Sequence, residues 1–172
     1  MTPRERRLIS DLRQMEELAA SGRITFRSEG QPPTVFHVML SGPGLALVAE
    51  DHLTVRHLHR CDLYLHRDYP RRPPIVTWLT PVFHPNMLGP ERNGGVCIGS
   101  WSAAESLSDL CLRLIDLVAY RALNEKDALN VEAAGWVRLH RVVPGADLEL
   151  IARYPLSSPV SVGLVGALSH ET

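Results

Sequence analysis

The segment that most restricts this chain is the run 69–101, which opens Tyr69-Pro70-Arg71-Arg72-Pro73-Pro74 and closes on Cys97 and Trp101. Proline has no amide donor and pushes the residue before it out of helical geometry, so the opening can be neither helix nor central strand. The proline-free stretch 75–79 reads as one short strand. A His84-Pro85-Asn86 corner and the Gly94-Gly95 pair then lead to Cys97. Residues 80–100 are therefore expected as an extended loop, and a long loop without regular structure is usually functional. The rest of the chain reads as the scaffold that holds Cys97 in place.

That scaffold is legible in outline. Leu8, Leu12, Met15, Leu18 and Ala19 recur at three and four, predicting an amphipathic helix over 4–21, ended by Ser21-Gly22. Strands are expected at 24–27, at 35–40 and at about 53–65, with Ser41-Gly42-Pro43-Gly44 as a turn after the second. Alternation places Val55, His57, His59, Cys61, Leu63 and Leu65 on one face of the third strand. A second helix is expected from Ser106 to about Tyr120. Its inward stripe is Leu107, Leu110, Cys111, Leu114, Ile115, Leu117 and Val118. A helix over 131–141 follows the turn 124–130, and Pro144-Gly145 breaks the chain. The Ser-, Pro- and Gly-rich end 155–172 has no assigned role. One domain over 1–145 with an extension at 146–172 is the simplest division.

Composition removes several function classes. A formal net charge of −1 gives no basic footprint for nucleic acid. No apolar run approaches the roughly 18–20 residues of a membrane span, and the charged first residues form no signal core. Three cysteines suit a reducing, cytoplasmic compartment rather than a disulfide scaffold. His57, His59 and Cys61 lie roughly 6.6–6.8 Å apart in pairs on a strand, close enough to share a zinc. A structural zinc wants four ligands and no matching cluster appears, so a packed sheet face is the preferred reading; no metal or cofactor is expected. Seventeen of the eighteen basic residues are arginine, and Lys126 is the only lysine. A GC-rich genome explains that simply. An enzyme that carries an activated acyl group would also gain by having few amines to modify.

The order Tyr-Pro-x-x-Pro-Pro, His-Pro-Asn, Gly-x-Val-Cys and Trp resembles the core of the ubiquitin-conjugating enzymes over about residues 4–140. The resemblance implies an α+β, UBC-like fold: an N-terminal helix packed on a four-stranded antiparallel meander sheet, then an active-site loop and C-terminal helices. It implies that Cys97 carries the C-terminus of a ubiquitin-like modifier as a thioester. A thiolate suits this task because it is nucleophilic near neutral pH and leaves well when an amine attacks. Gly94 and Gly95 are expected to let the modifier's tail approach. Asn86 corresponds to an asparagine that stabilises the oxyanion or fixes the loop that does so. Asp127 falls where the family has an acid that orients the incoming amine. Tyr69, His84, Pro85 and Trp101 would structure the loop, and Arg4, Arg6 and Arg7 would meet an activating enzyme. The implied partners are that enzyme, the modifier and a target protein.

The chain departs from the family in five places, the first being 44–53, shorter and more apolar than the family's Tyr-x-Gly-Gly hairpin. Gly89-Pro90-Glu91-Arg92 adds three residues between Asn86 and Cys97, and the span from Cys97 to Trp101 is short. Arg71 stands where ligase-binding members have an apolar residue, and Ala103-Ala104 replaces a Pro-Ala pair. With the arginine dominance, this pattern resembles bacterial conjugation systems encoded beside an activating enzyme, a modifier and a protease, of the kind used against phage. Two other readings keep the fold and change the chemistry: a non-catalytic binding module, and a cysteine hydrolase with His84 as base.

Overall fold

The computed structural model describes residues 1–157. Helix α1 (Pro3–Ala20) precedes strands β1 (Ile24–Gly30), β2 (Pro33–Ala49), β3 (His52–Tyr64) and β4 (Ile75–Trp78). After a long loop come α2 (Leu107–Val118), α3 (Val131–His140) and the short α4 (Leu148–Ile151). The strands form one antiparallel sheet in the order β1-β2-β3-β4, the expected meander. Among the described residues, no helix is long and apolar enough to cross a membrane. Of the 155–172 end, residues 158–172 lie outside the described residues.

Local chemistry sets the helix starts. Thr2 caps α1, with Glu5 reaching back to the Thr2 amide and Pro3 in the first helical position. Ser106 and Asp109 make the same reciprocal pair at α2. The α2 stripe read from the sequence is buried at all seven positions. It packs with Leu8, Met15, Phe36, Val38 and Cys61 into the first core. A second core gathers Leu45, Phe83, Tyr120 and Trp136 with Leu148 and Ile151 of α4.

The second strand is longer than expected, at 17 residues. Ser41-Gly42-Pro43-Gly44 is not a turn between strands but a bulge inside one. Pairing with β3 passes from Ser41 opposite Leu58 to Gly44 opposite Arg56, which leaves Gly42 and Pro43 facing a single residue. Pro43 falls in this unpaired step, where its missing donor breaks no ladder bond. A side chain at Gly44 would come within 2.6 Å of Val118 and 2.8 Å of His59, so β2 crosses α2 at a distance only glycine allows. The β3 face is inward at Leu53, His59, Cys61 and Leu63, while His57 is exposed. His59 hydrogen-bonds the Gly42 carbonyl at 3.0 Å and lies 5.6 Å from the Trp78 ring.

One buried acid ties the first helix to the rest. Asp11 is 1% exposed. Its carboxylate accepts from the Tyr69 hydroxyl at 2.6 Å, Arg7 Nε at 2.8 Å and the Leu107 amide at 3.0 Å. A carboxylate is tolerated here because every one of these donors points at it. The sequence hid this role, since Asp11 falls on the apolar face of α1 and its partners are remote along the chain.

His84 anchors the loop from inside. It is fully buried, its Nδ1 accepts from the Asn86 amide at 3.0 Å, and its ring meets Tyr120 edge-on at 4.6 Å. Burial lowers its pKa from 6.5 to about 3, against the pull of the Ala122 and Leu117 carbonyls.

Two outcomes follow from these buried groups. Asp11→Ala should lower the unfolding free energy in urea by about 3–5 kcal/mol, as when one partner of a buried pair is removed; an effect near zero would place the network at the surface. For His84 the unfolded chain binds a proton that the folded chain refuses. That contribution to stability is complete above pH 6.5 and is lost as the pH falls from there toward about 3. Urea unfolding between pH 6 and 4 should show a loss approaching about 1.4 kcal/mol per pH unit from this group. His59, whose pKa is lowered by burial, acts in the same sense, so the slope that disappears in His84→Gln isolates the His84 share.

Candidate active site

Three backbone bonds carry the loop from the sheet to the cysteine. Trp78 donates to Gly94 at 2.8 Å, Leu88 to Gly95 at 2.8 Å, and Cys97 to Asn86 at 2.9 Å. The residues added between Asn86 and Cys97 do not part them. Pro90–Arg92 form a 3-10 turn that Arg92 and Gly94 close by donating to the Gly89 carbonyl, each at 3.0 Å. The extra length is looped outward. Gly94 serves a different purpose from the one expected. It is buried at φ 61°, and a side chain there would lie 2.8 Å from the Trp78 nitrogen. Its missing side chain lets the loop lie on β4, and only Gly95 is partly open.

Asn86 is 3% exposed and its carboxamide faces the 124–127 turn. Nδ2 donates to the Asn124 carbonyl at 2.8 Å and the Asp127 carbonyl at 3.3 Å, and Oδ1 accepts from the Asn124 amide at 2.8 Å. Pro85 accepts from the Asn130 amide at 2.9 Å, and the Asn130 side chain caps α3. Asn86 therefore binds the Cys97 strand through its main chain and the acidic turn through its side chain. Asp127 is exposed on that turn.

Cys97 is a free, partly exposed thiol. It lines a groove of about 220 Å³ with Asn86, Ile98, Arg113, Leu117, Leu123 and Asn124. The other two cysteines are fully buried; burial pushes Cys111 up to about 12 and raises Cys61 well above the ordinary thiol value. Both are packing groups, and Cys97 alone of the three is open to a reactant. Arg113 was not singled out in the sequence. Its Nη1 donates to Ile98 at 3.0 Å and Ser100 at 2.7 Å, and Nη2 pairs with Glu105. A guanidinium on α2 thus holds the short segment after the cysteine. The one hint was an arginine two residues past the inward stripe residue Cys111.

The remaining expected residues fall around this loop. Trp101 donates to the Pro70 carbonyl at 2.8 Å, and its ring lies 6.0 Å from Tyr69, whose hydroxyl joins the Asp11 network. The three N-terminal arginines are not equivalent. Arg4 donates to the Leu65 and His66 carbonyls at 2.9 and 3.0 Å. Arg7 is held by Asp11, Tyr69 and the Ala103 and Glu105 carbonyls. Arg6 is exposed, and among the described residues its side chain bonds only the Met1 carbonyl.

Comparison with known proteins bears on this arrangement. The family model described as "Ubiquitin-conjugating enzyme" matches residues 7–142. "Ubiquitin-conjugating enzyme E2 2" of Saccharomyces cerevisiae is 28% identical over 144 residues, covering 81% of this chain and 77% of that protein. "Ubiquitin-conjugating enzyme E2 16" of Schizosaccharomyces pombe is 37% identical over 81 residues, covering 45% of this chain and about half, 48%, of that protein. Among solved structures, S. cerevisiae Ubc12 superposes with a TM-score of 0.60 at 23% identity, covering 80% of this chain and 70% of that one. With the family model spanning most of its length, the chain belongs to the ubiquitin-conjugating enzyme family.

Proposed function

We propose that this protein is a carrier enzyme that accepts the C-terminal carboxyl of a ubiquitin-like modifier on Cys97 and passes it to an amine. The observation that supports this most is the position of the thiol, partly exposed in an open groove and bonded through its own amide to Asn86. In the first step the Cys97 thiolate attacks the modifier's thioester on an activating enzyme, and that enzyme's thiolate leaves. In the second, an amine attacks the new thioester carbonyl; the C–N bond forms, the C–S bond breaks, and Cys97 departs as thiolate.

The roles divide accordingly. Asn86 holds the 124–127 turn against the nucleophile, and Asp127 on that turn orients the amine and takes its proton. Tyr69, His84, Pro85 and Trp101 hold the loop. Arg6, with Arg4 and Arg7 behind it, meets the activating enzyme. His84 is bonded and buried, which favours transfer over hydrolysis because no histidine base adjoins the thiol in this loop. We place the family-matched unit through about residue 145, supported by a family match that ends at residue 142, with Leu148 and Ile151 of α4 packed onto its second core. The arginine-dominated composition favours a bacterial conjugation system, and three free cysteines favour a reducing, cytoplasmic compartment.

A fluorescent peptide ending in Gly-Gly, supplied as its 2-mercaptoethanesulfonate thioester, tests the first step without an activating enzyme. The wild-type chain should gain a label that reductant removes, and Cys97→Ala should not. Labelling that survives Cys97→Ala would overturn the assignment. For the second step, Asp127→Ala should slow discharge onto added lysine by about 100-fold and leave charging unchanged, the lower end of what a positioned acid or base contributes. Equal loss of both steps would make Asp127 structural.

A further inference from the structure

The turn that Asn86 holds beside the cysteine also carries Lys126, the only lysine in the chain. Resting on the carrier reading above, we infer that Lys126 is the enzyme's own acceptor, taking the acyl group from Cys97 within the same molecule.

Three observations carry this. The turn is pinned on both sides. Asn86 grips Asn124 and Asp127, and Arg138 of α3 reaches the Glu125 carbonyl at 3.4 Å. Within the turn, Asn124 Oδ1 accepts from the Lys126 amide at 3.1 Å and the Asp127 amide at 3.4 Å, so the lysine backbone is fixed rather than left to sample space. Second, Asn124 lines the Cys97 groove, and Lys126 lies two residues on, at most about 7 Å of extended chain away. A flexible four-carbon stem can cover such a gap. Third, Lys126 is exposed, and its ammonium makes no ion pair with any described residue.

The chemistry balances without a further reactant. Lys126 Nζ, as the neutral amine, attacks the Cys97 thioester carbonyl. An isopeptide bond forms, the C–S bond breaks, Cys97 leaves as thiolate, and the amine's proton passes to solvent or to a carboxylate on the turn. Arginine cannot replace lysine in this step, because its guanidinium stays protonated. The other 17 basic residues are therefore silent, and an α-amine such as that of Met1 is a competing acceptor the test must exclude. The product carries the acyl chain on the turn that borders the groove.

The Gly-Gly peptide thioester reads this out directly. Wild-type protein should first gain the reductant-sensitive label and then convert it to a reductant-resistant one. Peptide mapping should place that label on Lys126, and its rate constant should not depend on protein concentration. Lys126→Arg should retain the sensitive label and lose the resistant one; Cys97→Ala should lose both. The inference is overturned if a sensitive label never converts, if the resistant label maps to Met1 or persists in Lys126→Arg, or if its rate rises with protein concentration. Absence of any sensitive label in the wild type would instead sink the carrier reading beneath it.

Discussion

The candidate active-site region depends on how one buried amide is satisfied. Asn86 sits almost wholly inside the protein, where an unpaired carboxamide would forfeit hydrogen bonds it makes freely in water. It meets that demand with the main chain of a turn about forty positions later, bonding Asn124 and Asp127. Its own carbonyl receives the Cys97 amide. Asn86 therefore links the segment that carries the thiol directly to the acidic turn. Pro85 and Asn130 repeat the link one step out, joining the same corner to the first turn of α3.

Around this corner the scaffold solves a geometric problem with a bulge. β2 contributes Phe36, Val38 and Leu40 to one core and Leu45 to the other. A strand that alternated without interruption would turn Leu45, an odd number of residues further on, to the face opposite Phe36, Val38 and Leu40; the bulge brings it back to the inward face. The extra residue at Gly42 and Pro43 bends the strand, and Gly44 lets it pass under α2. Phe83 then donates to the Leu45 carbonyl at 2.7 Å, so the bent half of β2 also anchors the loop that leads to His84. The fold and the site are connected through this strand.

Polar clamps finish the arrangement from the helical side. Asp11 gathers α1, the Tyr69 turn and the start of α2, while Arg113 grips the backbone just past Cys97. Arg7 and Arg113 converge on Glu105, the first by its carbonyl and the second by its carboxylate. The short span between Cys97 and Trp101 is held by Arg113 and the Trp101 indole, and Arg7 grips the residues just beyond it.

Much of this was legible beforehand, because local patterns carry it. Apolar spacing determined α1 and the seven inward residues of α2. The prolines on either side of 75–79 left room for only one short strand there, and motif order marked the family and put Cys97 and Asn86 forward as candidates. The uses of particular polar and glycine residues were decided only in three dimensions. Asp11 reads as an ordinary helix acid until Tyr69 and Leu107 arrive from 58 and 96 positions away. Gly94 reads as an opening for a ligand until Trp78 is laid against it. The Ser41–Gly44 step resembles a turn because a turn and a bulge draw on the same residues, and the pairing strand alone tells them apart. Periodicity records which side of an element avoids water, a property of neighbours along the chain. Hydrogen-bond satisfaction and close approach belong to pairs that only folding brings together.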